Sequence, residues 1–388
     1  MLGRMSFSTR GPATSVTGIR HIEDGATSRV EADVDGFRVW FESDEARLRP
    51  SVEALGSAFL VPTLLLRRRL ELEGRADPKW SENLEQLIRT FRAWWKTPLE
   101  SPSTQGPGLP AATNGSRRGT ALCFSAGVDS FHALLGHRES VASIVTVQGY
   151  DMPVTDQPRM QALEATLREV SAQFGVRSIV IRTNLREHPL IRATPWERTH
   201  GGALAAIGHL LGDEIGRLLI ASSIPYRSRR EWWGSHWRID PLWSSSRVTV
   251  ANVGAEQRRI EKLRTIAGEP IVRRHLRVCW ENRDPSGNCS RCGKCLLAMM
   301  ILADCGALTD FPVFREADRL AERVNALPSL QSMRLTLTDL ASSESLPPDL
   351  SAAARGLLAR TRRARSFPVR AGRQVLGMVR SWTGGRKP

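Results

Sequence analysis

Four of the six cysteines fall within seventeen consecutive residues, at Cys279, Cys289, Cys292 and Cys295. The two Cys-x-x-Cys steps in this spacing cannot close disulfides without strain, and such clusters are typical of metal sites in chains whose thiols stay reduced. Four thiolates at about 2.3 Å from one ion form a closed tetrahedral zinc site. The spacing therefore predicts a structural Zn²⁺ site without an open coordination position.

A second group of residues that could bind a ligand is the run from Ser125 to Ser130, between a predicted strand and a predicted helix. Small residues let backbone N–H groups converge on an anion, the two serine hydroxyls add donors, and the helix N-terminus adds partial positive charge. Asp129 would repel a phosphate, so we expect it to order the loop or to hold Mg²⁺. No Lys-Ser or Lys-Thr pair follows, which excludes a Walker A loop. The alternative interpretation is an ordinary strand-to-helix turn.

The predicted phosphate site comprises Ser125, Ala126, Gly127, Val128, Asp129 and Ser130. Within it, Ser125, Asp129 and Ser130 are the candidate catalytic residues. Gln148 and Asn184 follow the next two predicted strands, where we expect them to line the nucleotide site, although Asn184 is equally typical of a turn.

The elements that must position these residues alternate between short apolar runs and longer amphipathic stretches. The predicted strands are Thr120–Phe124, Ser143–Val147, Ser178–Ile181 and Arg217–Ala221, and the predicted helices are Asp129–His137, Arg159–Phe174 and His200–Ile215. Such alternation predicts an α/β fold with a doubly wound parallel sheet. Ligands bind such sheets at the carboxyl ends of the strands.

The loop resembles the S-G-G-x-D-S pyrophosphate loop of the PP-loop ATP pyrophosphatase superfamily, with Ala126 where glycine is usual. Alanine is tolerable at this position if its φ is negative. The resemblance implies a PP-loop (HUP-like) fold, binding of ATP with Mg²⁺, and cleavage of ATP to AMP and pyrophosphate as a substrate oxygen is adenylated.

The cysteine segment, Asn288 to Leu297, is similar to the zinc site of the 7-cyano-7-deazaguanine synthase family. This resemblance covers about half of the chain, residues 120–305. It implies an AMP-forming ligase that transfers an activated carboxylate or amide oxygen to an amine or ammonia, with a small-molecule acceptor such as a 7-deazapurine, as in queuosine biosynthesis.

The chain departs from that family in the expected acceptor region. The acidic segment with tyrosine and cysteine is replaced by Ile224–Arg238, which is rich in Trp and Arg. Such residues suit stacking on a base or on nucleic acid, and equally suit a hydrophobic plug. Two alternative functions therefore stay open: a tRNA-modifying PP-loop enzyme of the thiolation type, and a non-catalytic nucleotide- and zinc-binding module. Arg258, Arg259 and Lys262 on one predicted helix could stabilise a leaving pyrophosphate or form a solvated, salt-bridged face.

The composition limits the choice of partners. The net charge of the 388 residues is +15, but residues 350–388 contribute +10, so the rest is only mildly basic. Composition alone therefore does not make the whole chain a nucleic-acid binder, and an RNA or acidic partner is expected only through the tail.

No apolar run reaches the ~20 residues of a membrane span and the N-terminus lacks a signal-like apolar segment, which predicts a cytoplasmic protein. A homodimer is compatible with the sequence.

The predicted domains are an accessory α+β domain (1–96), a linker (97–119), the ATP-binding domain with the zinc site (120–310), a helical segment (311–348) and a disordered basic tail (349–388). Within the first, Ser28–Glu42 alternates around Asp35-Gly36, which predicts a hairpin with a type I′ turn. A helix with its N-cap at Ser81 is expected to follow.

Overall fold

The computed structural model describes residues 12–96, 102–108, 119–228, 233–284 and 287–366. The chain divides into two compact units. The first contains the described residues up to Cys289 together with Phe311–Val313, and the second contains Ser290–Asp310 and the described residues from Phe314 onward.

Within the described residues of the first unit, ten strands form one sheet in the order β10-β9-β6-β7-β8-β3-β2-β1-β4-β5. The strands are β1 (Ala13–Asp24), β2 (Thr27–Val34), β3 (Phe37–Ser43), β4 (Arg69–Arg75), β5 (Ser103–Gly108), β6 (Gly119–Cys123), β7 (Val141–Gln148), β8 (Arg177–Thr183), β9 (Ile215–Ala221) and β10 (Thr249–Val253). The five strands from β10 to β8 are mutually parallel. The α/β class and the four predicted strands, now β6 to β9, are thus confirmed, while β10 was not predicted.

The order of the parallel strands determines where a ligand would bind. Numbered along the chain, β6 to β10 occupy the spatial order 5-4-1-2-3, which is the order of doubly wound nucleotide-binding sheets. The chain leaves β6 in one direction towards β7 and later returns to its other side with β9. Ligands of such sheets bind at this reversal, outside the carboxyl ends of the strands. Here that position lies between β6 and β9.

The helices of the first unit are α1 (Val52–Leu65), α2 (Pro78–Trp95), α3 (Val128–Gly136), α4 (Gln157–Phe174), α5 (Pro189–Arg192), α6 (Trp196–Leu210), α7 (Arg259–Ile266) and α8 (Pro270–His275). The right-handed crossover rule places α3 and α4 on one face of the parallel strands and α6 on the other.

Helix α1 is buried on nearly all sides and packs closely against α6. A Cβ atom at Gly202 of α6 would lie only 2.2 Å from the carbonyl oxygen of Ser57 in α1. Helix α2 has its N-cap at Asp77, not at the predicted Ser81, because the Asp77 carboxylate accepts from the Trp80 N–H at 3.0 Å.

The N-terminal strands differ from the predicted separate domain, because they continue the same sheet. The predicted hairpin is confirmed as β2 and β3, and Asp35 (φ 51°) and Gly36 (φ 83°) provide the two positive φ angles of a type I′ turn. Strand β3 then pairs with β8 in antiparallel orientation. The Thr183 hydroxyl strengthens this junction by donating to the Trp40 carbonyl at 2.6 Å. Of the predicted linker, residues 103–108 form β5 beside β4, and most of the remainder lies outside the described residues.

The second unit is helical. Its α-helices in the described residues are α9 (Gly293–Asp304), α10 (Leu320–Ala326), α11 (Arg334–Ala341) and α12 (Pro348–Ser366). Helix α12 occupies the first half of the predicted disordered tail. It is anchored by Arg360, whose guanidinium group donates to three carbonyl groups at the end of α10, those of Val324, Asn325 and Leu327. The rest of the predicted tail, residues 367–388, lies outside the described residues. In the described part of the chain, no helix combines the length and the apolar character needed to cross a bilayer.

Candidate functional site

The predicted phosphate loop follows β6 and leads into α3, whose N-cap is Gly127. The Ser130 hydroxyl donates to the Gly127 carbonyl at 3.1 Å and accepts from the Ser125 N–H at 3.4 Å, so this side chain closes the loop from inside. Ala126 has a φ of 57°, in the left-handed region that favours glycine. The condition under which alanine would be tolerated, a negative φ, is therefore not met. A left-handed non-glycine residue costs roughly 1–2 kcal/mol, so this segment is held under backbone strain.

Asp129 lies at the centre of a cluster of charges. Its Oδ2 accepts from Nε and Nη2 of Arg259 at 3.2 and 2.6 Å, and its Oδ1 accepts from Nζ of Lys262 at 3.2 Å. Burial alone would raise the pKa of Asp129, but the two neighbouring cations outweigh it and lower the pKa below its ordinary value. The carboxylate therefore stays ionised as the counter-ion of both cations.

Lys262 places this cluster at the reversal point of the sheet. Its side chain is only 2% exposed, and besides Asp129 its ammonium group donates to the carbonyl of Ser222, the residue after β9, at 2.5 Å. Arg259 and Lys262 thus both face the loop. The neighbouring Arg258 pairs instead with Glu261 on the same helix, at 2.8 Å. Arg259 and Lys262 therefore pair with Asp129 of the loop, whereas Arg258 belongs to a salt-bridged surface. Stabilisation of a leaving pyrophosphate by the first two stays a prediction.

His132, one turn after Asp129 on α3, was not singled out by sequence reasoning. Its Nδ1 atom is buried and has no hydrogen-bond partner among the described residues. A Cβ atom at Gly254 would lie 3.4 Å from both this nitrogen and Nζ of Lys262. Burial and the neighbouring Lys262 lower the pKa of His132, so the imidazole is neutral at pH 7. A neutral ring beside an ammonium group adds no charge repulsion to the cluster.

Gln148 and Asn184 follow their strands as predicted, but both side chains are engaged with backbone groups. The Gln148 amide donates to the carbonyl of Val154 at 2.9 Å, within the loop after β7. The Asn184 amide accepts from the Trp40 N–H and donates to the Arg38 carbonyl, both at 2.9 Å, so it ties the end of β8 to β3. These hydrogen bonds engage the Gln148 amide nitrogen and both polar atoms of the Asn184 amide, and a role of either residue at a nucleotide site stays a prediction.

A short segment before the first cysteine contacts the loop. The Arg277 N–H donates to the Ala126 carbonyl at 2.8 Å, and the Arg277 carbonyl lies 3.6 Å from the position of a Cβ atom on Gly127. The Asn288 side chain fixes this segment, since its Oδ1 accepts from the N–H groups of Val278 and Cys279 and its Nδ2 donates to the Leu276 carbonyl. The strained Ala126 peptide is thus held by a segment whose geometry depends on the residue beside Cys289.

The four predicted cysteine ligands lie together. Their sulfur atoms are all within 4.8 Å of one another, and Cys279, Cys292 and Cys295 are buried. Four sulfur atoms around a zinc ion with Zn–S bonds of about 2.3 Å would be about 3.8 Å apart. The cluster is therefore within a small adjustment of a tetrahedral site and could hold a metal ion, which is compatible with Zn²⁺.

The Trp- and Arg-rich segment is partly described, because residues 229–232, including Trp232, lie outside the described residues. Trp243 is fully buried in the core, which fits the interpretation of a plug, whereas Trp237 is half-buried and stacks on His236. Asp240 anchors this segment by accepting from the Ser235 hydroxyl and from the Asn252 amide, both at 2.7 Å. Burial raises the pKa of Asp240 to about 6 despite these hydrogen bonds.

Comparisons with known proteins add little to this geometry. No protein-family model matches the chain, and neither does any curated protein. Among solved structures, the chain is similar to a type III CRISPR defence DNA nuclease activated by cyclic oligoadenylate, at 13% identity and a TM-score of 0.21. That match covers 90% of this chain and 57% of the nuclease chain. A likeness this weak supports no conclusion about fold or function.

Proposed function

We propose that this chain is an ATP-dependent, AMP-forming ligase of the PP-loop type, similar to 7-cyano-7-deazaguanine synthase. The observation that carries the proposal is the position of the loop Ser125–Ser130. It lies at the reversal point of a doubly wound sheet and at the N-terminus of α3, with Arg259 and Lys262 held against it by Asp129. Positive groups directed at a loop of small residues suit a polyphosphate.

Each residue of the loop has a role in this proposal. Backbone N–H groups from Ala126 to Val128 and the hydroxyl of Ser125 would hold the phosphates, while the Ser130 hydroxyl, which bonds to the Ser125 N–H and the Gly127 carbonyl, would keep the loop closed. Arg259 and Lys262 would stabilise the charge that develops on the departing pyrophosphate. The Asp129 oxygens already accept from both cations, so Asp129 would position these cations rather than coordinate Mg²⁺ directly. Mg²⁺ would then be held by the phosphates themselves.

The proposed reaction has two steps. A carboxylate or amide oxygen of the acceptor attacks the α-phosphate of ATP, a P–O bond forms to the acceptor, and the bond to the β-phosphate breaks, releasing pyrophosphate. An amine or ammonia then attacks the activated carbon and loses a proton, and AMP leaves. The four cysteines would hold Zn²⁺ in a closed site, so its proposed role is structural: it would keep Arg277 and the neighbouring segment against the loop.

The chain also offers evidence on the two alternatives. A thiolation enzyme needs a reactive thiol near the nucleotide, but burial raises the pKa of Cys123, two residues before the loop, to about 12, which disfavours a thiolate there. The left-handed Ala126 is the one feature that favours a non-catalytic nucleotide-binding module. Binding of ATP without any cleavage would support that second function.

Nucleotide product analysis tests the proposal. The protein is incubated with Mg-ATP and ammonium, with and without 7-carboxy-7-deazaguanine, and AMP, ADP and pyrophosphate are quantified. AMP and pyrophosphate that depend on the deazaguanine are the expected result, and ADP would contradict the mechanism. AMP absent in both incubations would leave ATP binding by the loop to be tested directly, with the acceptor sought elsewhere.

Matched variants connect the result to the site. Arg259→Gln should lower AMP formation at least tenfold because it removes a cation from the loop. Arg258→Gln, one position earlier on the surface of the same helix, should leave it unchanged. Equal losses in both variants would contradict the assignment of Arg259.

A further inference from the structure

Two arginine side chains meet on the same residue beside the loop. Nη2 of Arg159, in the first turn of α4, donates to the Asn282 carbonyl at 2.7 Å, and Nη2 of Arg277 donates to Oδ1 of Asn282 at 3.0 Å. Asn282 itself has a φ of 50°, a left-handed conformation that is uncommon outside glycine. Strained residues of this kind tend to occur where a ligand or a switch requires them.

The hydrogen bonding of both guanidinium groups is incomplete. The Nε atoms of Arg159 and Arg277 are buried and have no hydrogen-bond partner among the described residues. Arg159 is paired with Asp156 at 3.2 Å, whereas Arg277 makes no ion pair within the described part of the chain. Buried charges are normally paired, and buried donors normally have an acceptor. An oxyanion would supply acceptors to these donors and reduce the repulsion between the two cations.

The location of Arg277 indicates what such an anion would be. The backbone N–H of Arg277 donates to the Ala126 carbonyl inside the loop, and its side chain donates to Asn282. Asn282 in turn donates through Nδ2 to the carbonyl of Asp151, in the loop after β7, at 3.0 Å. The guanidinium group therefore lies between the carboxyl ends of β6 and β7, next to the place proposed for the phosphates. Both the nucleotide and an acceptor carboxylate would have to bring negative charge to this edge.

We propose that Arg277, supported by Arg159, forms a second oxyanion site beside the loop, which holds a reacting oxyanion at the α-phosphate. The inference rests on the proposed function, since the anion is one of its reactants. The oxyanion comes from one of two sources, the acceptor carboxylate or a phosphate of ATP. A guanidinium fork binds either one in a bidentate manner, and it would keep the two negatively charged reactants from repelling each other as they approach.

The test compares wild-type protein with Arg277→Gln and with the control Arg274→Gln. Arg277→Gln removes the guanidinium group but keeps the backbone bond to Ala126. Arg274 is three residues earlier, half exposed and paired with Glu169 at the surface. Binding is measured by calorimetry with three probes: α,β-methylene-ATP with Mg²⁺, inorganic pyrophosphate, and 7-carboxy-7-deazaguanine. Metal content and melting temperature are measured for each protein, and Arg277→Lys replaces the glutamine variant if the latter fails to fold.

The expected result is at least tenfold weaker binding of an oxyanion by Arg277→Gln, with Arg274→Gln within twofold of wild type. A loss of binding confined to the nucleotide and pyrophosphate identifies the anion as a phosphate, and a loss confined to the deazaguanine identifies it as the acceptor carboxylate.

Unchanged binding of all three probes overturns the site but leaves the proposed function standing. Conversely, Arg277-dependent pyrophosphate binding in a protein that converts ATP to ADP and never to AMP retains the site and refutes the ligase. Failure of the wild type to bind any probe overturns both.

Discussion

Replacing Asp129 by alanine should destabilise the protein as well as abolish the proposed AMP formation, because the carboxylate is the counter-ion of a buried ammonium group. The side chains of Lys262, Asp129 and Arg259 are 2%, 17% and 26% exposed. Removing one partner of a buried pair costs roughly 3–5 kcal/mol, because the remaining charge loses its compensation. Asp129 is partly exposed and Lys262 keeps its bond to Ser222, so we expect a loss of about 3 kcal/mol in the free energy of unfolding of the first unit.

The assay is urea unfolding followed by tryptophan fluorescence, since Trp80 and Trp243 are fully buried in that unit. Lys262→Met in the Asp129→Ala background removes the uncompensated charge and should recover about 2 kcal/mol. Because the pKa of Asp129 is lowered, its contribution is present above the ordinary aspartate pKa and is lost as the pH falls below about 4. If Asp129→Ala is within about 1 kcal/mol of wild type, or if the double variant is no more stable than the single one, the charge cluster does not work as described.

Three further predictions concern other parts of the structure. Cys292→Ser should lose bound zinc and lower the melting temperature, as measured by elemental analysis and calorimetry; full metal content would contradict the ligand assignment. The raised pKa of Asp240, about 6, means that its contribution to stability is present below pH 4 and is lost as the pH rises through 6. Asp240→Asn should therefore remove roughly 3 kcal/mol of pH dependence over that interval, and an unchanged profile would exclude Asp240 as its source. Asn288→Ala deletes three hydrogen bonds of the segment before Cys279 and should weaken binding of α,β-methylene-ATP severalfold with little change in zinc content; unchanged affinity would separate that segment from the loop.

The features that the sequence predicts well are local ones. Strand β6, the loop and α3 follow from adjacent residues, since an apolar run, small residues and a helical pattern succeed one another within eighteen positions. The cysteine cluster is equally local. The hairpin of β2 and β3 could be predicted because Asp35-Gly36 alone determines its turn. In each case the residues are close together in the sequence, so their positions along the chain largely determine the distances between them in the fold.

The features that sequence reasoning missed depend on distant contacts. Nothing in the pattern around Arg277 indicates that its N–H reaches Ala126, although its place two residues before a predicted metal ligand was a usable signal. The sign of φ at Ala126 could not be predicted, because it depends on such contacts. Asn184 ends a strand, which is typical of a ligand-binding position, but strand β3 competes for its amide, and the register between distant strands is not encoded in either one alone.

The junction between β3 and β8 also affects how the chain can fold during its synthesis. Thr183 bonds to Trp40, a residue made 143 positions earlier, and α1 is enclosed only when α6 has been made. At about 5–20 residues per second, the ribosome leaves the outer edge of β3 without its neighbour for roughly 7–30 s. The first hundred residues must therefore remain a nascent chain with an exposed strand edge and an apolar helix, and they can complete their fold only after translation has passed the loop Ser125–Ser130. A truncated chain that stops before β8, or begins after α2, should for the same reason aggregate rather than fold as an independent domain.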